Sequence, residues 1–199
     1  MFGLIFDQSN VGRFVGALIV SVGLTGCAEV SMEVHVLGED SIRATTVKSM
    51  NRDVYDVSQI QNETGFCDDG QIELTDIAAI CTVVMEGDFA SLSIPSPDGS
   101  PQPSVVLIDA NLVRVTFPTA DLENDFGAST GSLDEQEKQI IAMFAGRSIT
   151  LTVTGGEIVE TNMTLAKDKQ SASLEISLTA LFAGETDLPT ESFATIKLP

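Results

Sequence analysis

The chain has 199 residues, a length that fits one domain or at most two. Its 29 acidic residues against 10 basic ones give a net charge of −19, which excludes nucleic-acid binding by electrostatics, since no basic patch gathers anywhere in the sequence. A hydrophobic content of 43% excludes a wholly disordered chain, and with one His and no Trp any histidine chemistry rests on His35 alone.

The chain opens on an address. Residues 14–24 read FVGALIVSVGL, an apolar run that follows Arg13. It is far short of the about 20 residues that a membrane-spanning helix needs, and it has the length of a signal-peptide core. It ends in Leu24-Thr25-Gly26-Cys27. This tetrapeptide resembles the lipobox of bacterial lipoproteins: an aliphatic residue, two small residues, then Cys. The resemblance implies cleavage between Gly26 and Cys27, and a diacylglyceryl thioether with N-acylation (palmitate or a similar chain) on Cys27. It implies a cell-envelope protein held by its lipid. Ala28 follows the Cys, so in a Gram-negative host the sorting rule of that family implies the outer membrane, facing the periplasm. The alternatives are a plain signal peptide cut elsewhere, or a core helix that ends at a chance Cys. On the favoured reading, residues 1–26 are the signal and 27–199 one envelope domain.

Two cysteines then remain, Cys67 and Cys81. An even remainder in an exported chain reads as a disulfide, against the alternative of two separate buried thiols. No second pair and no nearby His suggest zinc, and no Cys-x-x-Cys suggests redox catalysis.

The mature chain begins with alternation. Val30, Met32, Val34 and Val36 alternate with Ser31, Glu33 and His35, which predicts a half-buried strand with His35 on its polar face. Gly38-Glu39-Asp40 turns the chain, and 41–48 returns as the second strand of a hairpin. Residues 51–62 read as a helix with Val54, Val57 and Ile60 or Gln61 on one side, and 64–76 as turn-like. The run 77–85, IAAICTVVM, reads as a central strand apolar on both faces, and 91–94 as an extension of the sheet. Residues 95–103 hold four of the seven prolines and read as an exposed loop. Strands at 105–108 and 112–117 form a second hairpin around Asp109-Ala110-Asn111. Ser132 and Glu135 have capping-box spacing. They predict a helix over 134–145 with Ile140, Ile141 and Phe144 inward and Gly146 as its stop. Strands at 148–154, 171–181 and 193–198 close the chain. The fold class is α+β, a largely antiparallel sheet with two helices.

The order of these pieces is itself informative. A lipobox Cys leads at once into a hairpin with a Gly-Glu-Asp turn, then a helix, then Asp-Gly and an apolar strand. Later, Gly155-Gly156-Glu157-Ile158-Val159-Glu160-Thr161-Asn162 precedes a polar turn and the strand from Ser171 to Ile176. This arrangement resembles the LppM-type lipoprotein domain. Gly155-Gly156 stands where that family usually has Pro-Gly, and Leu174 near its usual Trp. The resemblance implies an envelope domain that binds lipid or glycolipid and has no known enzyme activity.

No residue pattern points to catalysis, to a metal or to another cofactor. Asp121, Glu123 and Asp125 alternate, yet they lack the Gly and Glu spacing of a calcium loop. Asp68, Asp69 and Asp76 read as turn chemistry. Gly155-Gly156 lacks the Lys-Ser/Thr of a phosphate loop and reads as a bulge or turn. The sequon matches at Asn62 and Asn162 carry no meaning in a bacterial lipoprotein. The expected function is non-enzymatic. The domain binds a lipid, another amphiphile or an envelope partner, and the lipid reading predicts an apolar pocket between the sheet and helix 134–145. The alternative is a structural or assembly lipoprotein that docks to an envelope complex. A carboxylate hydrolase would need two acids of opposed environment at one cleft.

Overall fold

The computed structural model describes residues 27–60, 66–67, 70–89, 103–120, 122, 135–142 and 144–199. Residues 14–26, Asp68, Asp69, 91–102, Asp121, Glu123, Asp125, Ser132, Asp134 and Asn62 lie outside them, together with the expectations placed there.

The first hairpin forms as its alternation predicts. β1 (Cys27–Val36) pairs antiparallel with β2 (Ser41–Asn51), with Val34 opposite Ala44 and Val36 opposite Ile42, all buried. α1 (Arg52–Ile60) follows β2 directly. Next come β3 (Gln71–Leu74) and β4 (Ala78–Asp88). β5 (Ser104–Asp109) and β6 (Leu112–Phe117) form the second hairpin. Its tight turn uses Asn111 at φ 63°, a left-handed conformation that Asn tolerates. After α2 (Glu135–Ala142) come β7 (Ser148–Thr154), β8 (Glu157–Thr161), β9 (Thr164–Leu165) and β10 (Ser171–Ser177). α3 (Leu178–Ala183) and β11 (Ser192–Lys197) complete the chain.

The strands make two sheets. One has the order β3-β4-β2-β1-β7-β10-β9, the other β5-β6-β11-β8. The β1–β7 pair is parallel, and every other described pair is antiparallel. The α+β class, largely antiparallel, is therefore observed. The two sheets share one core. Val34, Val36, Leu151 and Val153 from the first pack with Val113, Val115, Ile158 and Ile196 from the second.

Gly155-Gly156 is the corner at which the chain leaves the first sheet for the second. Gly155 has φ 118°, and a Cβ there would meet the backbone of Val36. A Cβ on Gly156 would meet the carbonyl of Lys197 and the side chain of Ile196. Two strand ends thus close on the glycines, and only a residue without Cβ fits.

Several expectations are corrected. The region read as a turn contains the edge strand β3, whose four residues are all exposed. β8 and β9 were not expected as strands. The strand expected over 171–181 stops at Ser177, and Leu178–Ala183 is helical. Ser177 caps this helix by accepting from the Ala180 N–H at 3.4 Å, and Gly184 ends it at φ 65°. Period-two apolarity therefore continued into a segment whose cap residues decide for a helix. α2 is shorter than predicted and ends before Gly146, where φ is 73°. β4 lies between β3 and β2 as expected for a central strand, yet only one of its faces is buried. Ala79 and Cys81 are inside, whereas Val84 is 56% exposed, because no layer among the described residues covers the other side.

Candidate functional site

The site begins with alternation in β1. Val34 and Val36 point into the core, so Glu33 and His35 stand on the opposite face. The parallel register sets His35 beside Thr154 at the end of β7. The Thr154 hydroxyl donates to Glu33 Oε1 at 2.7 Å. A carboxylate can only accept, so this hydroxyl has no second hydrogen to give. His35 Nδ1, 2.8 Å from Thr154 Oγ1, is then the donor.

The resulting chain runs imidazole, hydroxyl, carboxylate. In a nucleophilic triad the imidazole sits in the middle and accepts the hydroxyl proton. Here the hydroxyl sits in the middle and gives its proton to the acid. The arrangement orients His35 and does not activate Thr154.

These three residues line an open cleft of about 930 Å3. The glycine corner 155–156 forms one part of its wall, and Glu157, Gln170, Ser171, Lys197, Leu198 and Pro199 complete it. Leu198 is buried and supplies an apolar floor. The lining residues also include one His, one Lys and two Glu. Such a mixture suits a ligand with both a polar and an apolar part.

Among the described residues no three of His, Cys, Asp and Glu converge as metal ligands. No helix there is long and apolar enough to cross a membrane. Cys67 and Cys81 are bonded, with Cα atoms 5.5 Å apart, and Cys81 is fully buried. Cys27 is the first residue of β1, where it pairs with Met50, and Gly26 lies outside the described residues. The pocket expected under helix 134–145 is not where the cleft lies. That space holds Phe144 against Phe182, with ring centroids 4.7 Å apart and planes tilted by 34°, packed with Leu178, Leu181 and Ile176. Asn162 has a structural use: its amide donates to the Glu191 carbonyl and accepts from the Phe193 N–H, tying β8 to β11.

Sequence reasoning placed His35 on a polar face but did not connect it with Glu33 and Thr154. Glu33 and His35 at i, i+2 were a legible signal. Thr154 was not, because 119 residues separate it from His35.

No protein-family model matches the sequence, and no curated protein matches it. Among solved structures, the fold is similar to the folded domain of the Mycobacterium tuberculosis LppM protein, determined by NMR. The TM-score is 0.49 at 10% identity, covering 87% of this chain and 91% of that one.

Proposed function

We propose that this is a lipid-anchored, non-enzymatic protein of the cell envelope, held in the membrane by acylated Cys27, whose cleft binds an amphiphile. The carrying observation is that one strand joins the two functions. β1 starts at Cys27 and bears Glu33 and His35 at its other end. At about 3.3 Å per residue, His35 stands about 26 Å along the strand from the anchor. A ligand in the cleft is thereby held away from the membrane surface. The hydroxyl-centred order of His35, Thr154 and Glu33 supports binding over catalysis, and the mixed lining supports an amphiphile over a purely polar ligand. One acyl chain anchors only marginally, whereas two or three, as on a lipobox cysteine, anchor stably.

The test is a mass spectrum of the full protein purified from envelope membranes in mild detergent. The expected protein begins at Cys27 with the mass of its acyl groups and carries a further adduct of lipid mass. Cys27→Ala should remain unprocessed and lose the acyl mass. His35→Phe should keep the acyl mass and lose the adduct. A wild-type protein without acylation would end the anchoring reading, and an acylated protein without adduct would end the amphiphile reading.

A further inference from the structure

We infer that the outward side of α1, together with Ile77, is a membrane-apposed face, covered by the bilayer that receives the acyl chains of Cys27. This rests on the anchoring proposed above and adds an orientation to it.

The face is apolar and uncovered. Val54, Val57 and Ile60 recur at three-residue spacing on one side of α1 and are 39%, 53% and 81% exposed. The inward side uses Tyr55 instead, which packs with Phe66 on Met50 and Ala79. Ile77, 78% exposed, stands at the start of the same helix, since the Arg52 N–H donates to its carbonyl at 3.0 Å.

The occupant follows from the place of Cys27 in the sheet. Cys27 is paired with Met50, and β2 ends at Asn51, where α1 takes over. The neighbour on the far side of β2 is β4, with Asn51 opposite Ala78. Two strand spacings, about 10 Å, therefore separate Cys27 from the Ile77 corner. Cys27 is itself paired with Met50, ahead of a register shift before Glu29, so the acyl chains attach at this end of the sheet. Lipid bonded to Cys27 is held at the sheet end where α1 begins, and the apolar stripe is the surface offered to it. Burial of such a stripe at the boundary of headgroups and acyl chains is the mode of interfacial helices.

Charge selects the kind of surface. The protein carries a net −19, and Asp53 lies four residues before Val57 on the same side of α1. A zwitterionic surface admits this face, and an anionic one repels it.

The experiment uses the full acylated protein reconstituted into vesicles of phosphatidylethanolamine and phosphatidylcholine, after a mass spectrum has established acylation of Cys27. A nitroxide is placed in turn at Val57→Cys, Ile77→Cys and, as a control on β5, Val106→Cys. All three positions are exposed, so the fold tolerates them. The expected result is collision with a water-soluble nickel complex several-fold lower at 57 and 77 than at 106, with oxygen collision raised. Replacing part of the lipid by phosphatidylglycerol should reduce that shielding. Equal nickel accessibility at all three positions in an acylated protein overturns the inference and leaves the anchoring reading standing. Shielding that appears in detergent without vesicles, and grows with protein concentration, overturns it in favour of a second copy. An unacylated Cys27 overturns the anchoring reading and this one with it.

Discussion

The core between the two sheets and the corner built from α1, β3 and the start of β4 differ in what holds them. Between the sheets, side chains from two layers meet, and Val113, Val153 and Ile196 are fully buried. At the corner, among the described residues, a single sheet has only a short helix over it. Met50 and Ala79 are its buried pair, with Tyr55 and Phe66 packed against them. The corner also holds the Cys67–Cys81 disulfide, and the apolar stripe of α1 remains outside. The difference teaches that an apolar stripe is buried only where a second layer exists to meet it. Where that layer is missing, a covalent link holds the chain and apolar surface is left for something else.

Removing material from the shared core should have the largest effect. Ile196→Ala deletes a fully buried side chain between two layers and should lower the unfolding free energy by about 2–5 kcal/mol in denaturant titration. A loss below 1 kcal/mol would mean that the layers do not pack as described.

The corner should answer to its disulfide instead. Replacing both Cys67 and Cys81 by Ala removes a link that closes a loop of sequence separation 14 and should cost about 3 kcal/mol. Tyr55, the one tyrosine of the chain, lies in this corner, so its fluorescence is a local reporter. Under a reductant, Tyr55 emission should change at lower denaturant than far-ultraviolet dichroism, which follows the sheets. Coincident transitions would make the corner and the core one cooperative unit.

A smaller effect of opposite sign is expected at β11. Thr195 is buried, and its hydroxyl has no hydrogen-bond partner among the described residues. Thr195→Val keeps the shape and removes the unpaired hydroxyl, so it should stabilise by about 1 kcal/mol in the same titration. Destabilisation would show that the hydroxyl is satisfied in solution.

The smallest change belongs to the surface of the first sheet. Arg43 and Glu86 pair across β2 and β4 at 2.8 Å with about half of each side chain exposed. Arg43→Ala should change stability by less than about 1 kcal/mol, and still less at high salt. A larger loss would mean that β4 depends on this pair as well as on its disulfide.

Much of the fold was legible where local chemistry decides. The alternation of β1 and the Asp109–Asn111 turn each act within a few residues and appear as read, whereas the helix expected to run to Gly146 ends at Ala142. The misreadings share one cause. α3 was taken for a strand because Ala172, Leu174 and Ile176 alternate up to its cap at Ser177. β3 was taken for a turn because its strand character comes from pairing with β4, not from its own four residues. Val54, Val57 and Ile60 do form the one-sided stripe that was expected, and it faces outward. The cleft was the least legible part. Glu33 and His35 lie close in sequence, while Thr154 reaches them through the parallel β1–β7 pairing and Lys197 comes from the other sheet.

By itself the sequence determined the strongly acidic charge, the α+β class, the first hairpin and the pairing of Cys67 with Cys81, because composition, periodicity and cysteine count act locally or by simple exclusion. Tertiary structure alone decided which apolar residues are buried, how the chain passes between sheets at Gly155-Gly156, and which polar groups meet in the cleft. Burial depends on a second layer, and strand register joins residues more than a hundred positions apart. Neither is encoded in any short stretch of the chain.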